Sequence, residues 1–348
     1  MLKATWKYYR IFFRKPATTS RGVLLYKDSW LIFIFDDKNP ETCGIGECSI
    51  IPGLSPDPFD KIENELNAVC ESINLHEYWM EYRSRLFPAI KFGLQTALND
   101  FMAGGKRVFH ENDFLAGERG LPINGLIWMG SKSEMKKQII EKVEQGFDCL
   151  KLKVGAIDFD QEVDLIRYIR EEFKNENLEI RLDANGAFKT EEALQKLKTL
   201  SDFNIHSIEQ PIKQGQIAQM AELCKTSPIP VALDEELIGV VANNKKKEIL
   251  ELIAPSYLIL KPSLLGGLGE AEDWIYLAKE LKMGWWVTSA LESNVGLNAI
   301  AQWISNKNPS TIQGLGTGQL YTNNFQSPLT VSNGKLFHFP EIEWEINV

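Results

Sequence analysis

Five ionisable side chains stand at the ends of five short apolar runs and recur at nearly even spacing. The runs are Cys149-Leu150-Lys151-Leu152-Lys153, Ile180-Arg181-Leu182-Asp183, Ser207-Ile208-Glu209, Val231-Ala232-Leu233-Asp234 and Tyr257-Leu258-Ile259-Leu260-Lys261. Successive charges from Lys153 to Lys261 lie 30, 26, 25 and 27 positions apart. Three carboxylates gathered in one place raise one another's pKa unless a cation neutralises them, and an all-oxygen set favours a hard ion such as Mg²⁺. The other arrangement open to Asp183, Glu209 and Asp234 is a set of salt bridges to the strand-end lysines. Lys151 and Lys153 share one face of their run. Crowding and burial lower a lysine's pKa, which suits Lys153 to proton abstraction near neutral pH. Lys151 reads as a structural or substrate-binding cation, and Lys261 approaches from across the site. A metal acting as Lewis acid on a substrate carboxylate, flanked by two lysines, suits removal of the proton α to that carboxylate.

Such groups must be carried to one place. A strand, a crossover helix and two loops take about 30 residues, so the spacing predicts repeated β/α units. Strands of a parallel sheet are buried on both faces and read as apolar runs. In a closed parallel barrel their C-terminal ends open into one mouth, where the active site sits. The beat extends both ways. Asn124 lies 29 residues before Lys153 and marks strand one. Trp285–Glu292 fits strand seven, and Thr311–Gly318 gives a weaker strand eight. Between strands, Ser131 and Glu134 form a capping box before an apolar stripe of Met135, Ile139 and Val143. Phe159, Val163, Ile166, Ile169 and Phe173 make the next stripe, and Thr190 is placed to cap the helix after that. No long helix follows strand eight, so the expected fold is α/β: a (β/α)7β modified TIM barrel. Residues 1–118 read as an α+β capping domain, 119–325 as the barrel, and 326–348 as a tail returning towards the cap. In the cap, residues 3–14 and 22–35 suit strands, joined by a polar loop from Lys15 to Gly22.

The chain has 348 residues, a net charge of −9 and a pI near 5.2, which argues against nucleic-acid binding and leaves room for a small carboxylate substrate. No segment is long and apolar enough to span a membrane. Five scattered cysteines, an odd number, point to a reduced, cytoplasmic setting rather than a disulfide framework. Assembly into a homo-oligomer stays open.

The motifs Lys151-Leu152-Lys153, Asp183-Ala184-Asn185, Glu209-Gln210-Pro211, Asp234-Glu235 and Lys261-Pro262-Ser263, with Gly44-Ile45-Gly46-Glu47 in the cap, resemble the enolase superfamily in its muconate-lactonising-type subgroup. The resemblance covers nearly the whole chain, and it is the order and spacing of the motifs, not any one of them, that is specific. It implies Mg²⁺ (Mn²⁺ as a substitute) on Asp183, Glu209 and Asp234, with Lys153 as acid/base catalyst and Lys261 on the opposite face; lysine bases with Mg²⁺ are established superfamily chemistry. Strand alternation and the family pattern favour Asp234 over Glu235 as the ligand. None of the four histidines (His76, His110, His206, His338) lies near strand seven, and strand eight lacks the acidic pair that grips a substrate amine in dipeptide epimerases. Ser289-Ala290-Leu291-Glu292-Ser293-Asn294 resembles the strand-seven region of the o-succinylbenzoate synthase family. That resemblance implies syn-dehydration of 2-succinyl-6-hydroxy-2,4-cyclohexadiene-1-carboxylate in menaquinone synthesis. The alternatives are an N-acylamino acid racemase or a muconate-type cycloisomerase on the same scaffold, and, more remotely, a non-catalytic metal-binding barrel. Strand position makes Lys151, Asn124, Asn185, Ser289, Leu291 and Gly316 candidate substrate-binding residues, with Arg21 on the capping loop placed to pair with the succinyl carboxylate.

Overall fold

The structure is a computed structural model that describes residues 1–19, 22–81, 86–173 and 177–348. Three antiparallel strands open it: β1 (Leu2–Thr19), β2 (Gly22–Asp36) and β3 (Asn39–Ser49), with β2 in the middle. Helices α1 (Ile62–Glu71), α2 (His76–Glu81) and α3 (Pro88–Met102) follow. Trp30, Ile32 and Ile34 alternate along β2 and pack against Leu66 of α1 and Ile90 and Leu94 of α3. The Gly44-Ile45-Gly46 stretch has a packing reason. A Cβ at Gly46 would fall 2.0 Å from the Gly93 carbonyl oxygen, and one at Gly44 would fall 2.2 Å from that of Ala97. Only glycine lets β3 lie this close on the backbone of α3.

The expected polar loop from Lys15 is largely strand. Ala17, Thr18 and Thr19 pair with Leu24, Val23 and Gly22, after a register shift between Phe12 and Ala17. Composition suggested a loop there because an edge hairpin arm carries polar residues as readily as apolar ones. Arg21, like Ser20, lies outside the described residues.

After a short strand, β4 (Leu121–Pro122), the β/α units begin: β5 (Gly125–Ile127), α4 (Lys132–Glu144), β6 (Cys149–Lys153), α5 (Phe159–Glu172), β7 (Glu179–Asp183) and α6 (Thr190–Leu200). They continue with β8 (Ser207–Glu209), α7 (Ile217–Thr226), β9 (Val231–Leu233), α8 (Asn243–Ile253) and β10 (Tyr257–Leu260). Then come α9 (Pro262–Leu265), α10 (Leu268–Glu280), β11 (Gly284–Val287) and α11 (Asn294–Ser305). β5 to β11 form one parallel sheet in sequence order. The eighth position is filled by a segment reduced to two parallel bridges, Gln313 with Ile123 and Gly314 with Thr288. The Gly314 N–H donates to Val287 O (2.8 Å) and the Asn124 N–H to Gln313 O (2.9 Å), which ties strand seven back to strand one. The chain thus forms a (β/α)7β barrel with an N-terminal cap. No helix of the described residues is long and apolar enough to cross a membrane.

Helix starts follow local chemistry. Ser131 and Glu134 make both bonds of a capping box on α4. Thr190 is instead the first helical residue of α6; Lys189 holds the N-cap position, and the Thr190 hydroxyl turns to Gln216 (2.8 Å). The tail forms β12 (Leu329–Ser332) and β13 (Lys335–His338), and β13 pairs with β4. Beyond it, Trp344 and Ile346 pack with Leu31 and Ile45 of the cap.

Candidate active site

Strand register sets the site. Lys153, Asp183 and Glu209 pair directly across β6, β7 and β8, so their side chains leave neighbouring strands at one level. Asp234 follows β9 and Lys261 follows β10. All five are buried, as is Lys151.

The ammonium groups stand between the carboxylates. Lys151 Nζ lies 2.8 Å from Asp183 Oδ2 and 2.5 Å from Glu209 Oε2. Lys153 Nζ donates to Asp183 Oδ2 and to Asn185 Oδ1, both at 2.6 Å. Lys261 donates to Asp234 Oδ2 and lies 3.8 Å from Glu209 Oε1. Asn185 in turn donates to Glu235 Oε1 (2.9 Å).

Burial sets one trend in these titrations and the opposite charges set the other. Burial would lower Lys151, but Asp183 and Glu209 outweigh it and hold the ammonium above its ordinary range. Burial likewise opposes Lys261, and Asp234 and Glu209 outweigh it, so its pKa rises. For Lys153 burial prevails over Asp183, helped by the neighbouring Lys151 charge, and its pKa falls. Asp183 and Asp234 resist burial through their lysines and fall below the usual carboxylate range. Glu209 is pushed up to about 8 by burial and by Asp183.

Among the described residues no three His, Cys, Asp or Glu side chains converge closely enough to hold a metal ion as placed. The salt bridges that the sequence leaves open as the other arrangement are formed. The donor set still fits a hard divalent cation. It is all oxygen and carried by three adjacent strands. Neither buried oxygen of Glu209 accepts a well-directed hydrogen bond, so the Lys151 approach is an ion pair without hydrogen-bond geometry.

Above these groups lies a cavity of about 310 Å³. Lys151, Lys153, Lys261 and Asn185 form its floor side, and Asn124, Ser289, Leu291 and Gly316 lie on its walls. The structure therefore brings together every described candidate for substrate binding. Trp128, Leu54 and Ile51 give it an apolar side, and Gly22, Val23 and Leu24 reach it from the capping hairpin. Asn185 (φ 45°) and Leu291 (φ 64°) hold left-handed backbone that is rare away from glycine, a strain that clusters at functional loops.

Sequence reasoning missed Trp128 and Thr288. Trp128 directly follows β5 and Thr288 directly follows β11, so the strand ends were the available signal, but for strand one the beat pointed to Asn124, which precedes β5. It also missed Lys27 and gave no role to Glu292; both are buried beside the strand-seven loop.

Residues 134–341 match the enolase C-terminal domain-like family. The chain is 47% identical over 366 residues to the o-succinylbenzoate synthase of Desulfotalea psychrophila, covering 96% of this chain and 98% of that one. The crystal structure of MenC from Desulfotalea psychrophila LSv54 superposes with a TM-score of 0.84 at 44% identity, covering 97% of this chain and 99% of that one. The L-Ala-D/L-Glu epimerase structure from Bacillus subtilis superposes with a TM-score of 0.83 at 22% identity, covering 97% and 95%, which speaks for the fold alone.

Proposed function

Because the chain belongs to the enolase superfamily, and within it groups with the o-succinylbenzoate synthases, we propose that it dehydrates 2-succinyl-6-hydroxy-2,4-cyclohexadiene-1-carboxylate to o-succinylbenzoate, a carbon–oxygen lyase step of menaquinone biosynthesis in the cytoplasm. The observation that carries the reading is geometric. Lys153 and Lys261 enter one cavity from strands two and six, on either side of the three carboxylate-bearing strands.

Asp183, Glu209 and Asp234 are the residues that would hold Mg²⁺, with Mn²⁺ as a substitute. Bound there, the ion would supply Lewis-acid stabilisation of the substrate carboxylate. Lys153 takes the proton from the carbon α to that carboxylate. The electron pair released forms the new ring double bond as the C–O bond to the hydroxyl breaks, and Lys153 returns its proton to the departing oxygen, giving water. Using one lysine for both transfers requires both groups on one face of the ring, which is syn elimination. Lys261, held cationic, faces the other side of the ring and stabilises negative charge developing at the carboxylate. Asn185 fixes the Lys153 amine. The apolar side formed by Trp128 and Leu54 excludes water from the diene. Asn124, Ser289, Leu291, Gly316 and Lys151 shape the remainder of the pocket, and Arg21, outside the described residues, is proposed to pair with the succinyl carboxylate.

The test is to follow aromatisation by absorbance with Mg²⁺ and with chelator, beside α-proton exchange of N-succinylamino acids in D₂O. Dehydration at least 100-fold faster than exchange supports the lyase. Exchange at a comparable rate, or without dehydration, moves the assignment to the racemase reading.

A further inference from the structure

One wall of the substrate cavity is held from outside the barrel. Ser289, Ala290 and Leu291 follow β11 and line the cavity, and Leu291 keeps its left-handed backbone. A non-glycine residue stays in that region only where its surroundings over-determine it. The surroundings here are specific. Glu292, fully buried, accepts at Oε2 from the Ser289 hydroxyl (2.7 Å) and the Ala290 N–H (2.8 Å). Its Oε1 accepts from Ser263, two residues beyond Lys261. The Tyr321 hydroxyl donates to Leu291 O (2.6 Å).

A further restraint comes from the cap. Lys27, 2% exposed on β2, donates its ammonium to Ala290 O at 2.5 Å. It faces two buried carboxylates, Glu292 and Glu47. Neither depends on Lys27 for its hydrogen bonds. Glu292 has those just given, and Glu47 accepts from Ser29, from the Ser293 backbone and hydroxyl, and from the Gly296 N–H. A buried ammonium is an expensive way to dock two layers, since a charge is costly to take out of water. The same strand carries Val23 and Leu24 over the cavity. β2 therefore touches the pocket twice, once directly and once through the Ala290 carbonyl.

We propose that Lys27 is a positioning residue for substrate recognition: by fixing the Ala290 carbonyl it carries the seating of the capping sheet into the shape of the strand-seven wall. The proposal rests on the dehydratase reading for its kinetic readout, and a substrate-independent readout separates the two. Full-length wild type and Lys27→Met are compared, saturated with Mg²⁺, by steady-state kinetics, thermal melting and hydrogen–deuterium exchange over residues 288–296. The expected result is a KM at least ten-fold higher with kcat within three-fold. The melting point falls, since the buried Glu292 and Glu47 lose a counter-charge, and the 290 and 291 amides exchange at least ten-fold faster than this loss of stability accounts for. A lower melting point with unchanged KM and loop exchange overturns the proposal, because it makes Lys27 structural only. So does a loss in kcat at unchanged KM. Should Lys27→Met fail to fold, Lys27→Gln, whose shorter neutral side chain does not reach the carbonyl, is held to the same criteria. If the wild type shows no dehydration, the functional reading fails while the exchange measurement still decides the role of Lys27.

Discussion

Lys153 Nζ lies 2.6 Å from Asp183 Oδ2, between residues that pair directly across adjacent parallel strands. Lys261 likewise donates to Asp234 on the far side of Glu209, although these two are not paired across β9 and β10. The two lysines are shifted in opposite directions: burial wins at Lys153 and lowers its pKa, whereas Asp234 and Glu209 keep Lys261 raised. Lys261→Ala should therefore remove a stabilising cation rather than a base. Steady-state kinetics should show kcat down by about 10²–10³ with KM little changed. An equal loss carried wholly by KM would make Lys261 a binding residue.

Removal of the metal should abolish turnover, and Mg²⁺ or Mn²⁺ should restore it. Glu209 is the sharpest probe, because its two buried oxygens accept no well-directed hydrogen bond from the protein. Glu209→Gln should weaken Mn²⁺ binding at least ten-fold in a titration read by the bound-ion spectrum. Unchanged Mn²⁺ affinity would place the ion elsewhere.

Asp57 gives a pH-dependent stability. It is buried, and burial pushes its carboxyl up to about 6 although the Ala89 N–H donates to it (3.0 Å). A folded pKa above the unfolded value near 3.8 means the folded state holds the proton more tightly. That contribution is complete below pH 3.8 and is lost as pH rises through 6. Two pKa units correspond to no more than about 3 kcal/mol. Asp57→Asn keeps the acceptor and removes the charge, so it should raise the melting point, by more at pH 8 than at pH 5. A variant less stable at pH 8 would show that the ionised carboxylate is needed.

The cap is locked to the barrel by a buried charge cluster. Lys91 of α3 and Lys246 of α8 share Glu270 of α10, at 3.3 and 2.6 Å. Glu270→Ala removes the carboxylate they share and should cost about 3–5 kcal/mol. Denaturant unfolding measures it. A loss under 1 kcal/mol would show that the cluster adjusts without it.

Much of this was legible in the sequence because barrel strands announce themselves. Period, apolar runs and a charge at each end located Lys153, Asp183, Glu209, Asp234 and Lys261 without coordinates, and register explains why Lys153, Asp183 and Glu209 share one level, with Asp234 two residues past the partner of Glu209. The hairpin from Lys15 to Thr19 was not legible, because an edge strand with polar residues has the composition of a loop. Lys27 was hidden for another reason. On a strand it reads as an outward-facing charge, and only tertiary packing turns it onto the Ala290 carbonyl. The occupation of the carboxylate cluster by ammonium groups also had to be seen, since spacing alone gives salt bridges and metal ligation the same pattern.

The most direct test of the account is the rate of aromatisation of the hydroxycyclohexadiene carboxylate by Lys153→Ala, saturated with Mg²⁺ and with substrate, against wild type in a single turnover. The account predicts a fall of at least about 10³ with metal binding and melting point retained. A variant that turns over within ten-fold of wild type would contradict the assignment of Lys153 as the base.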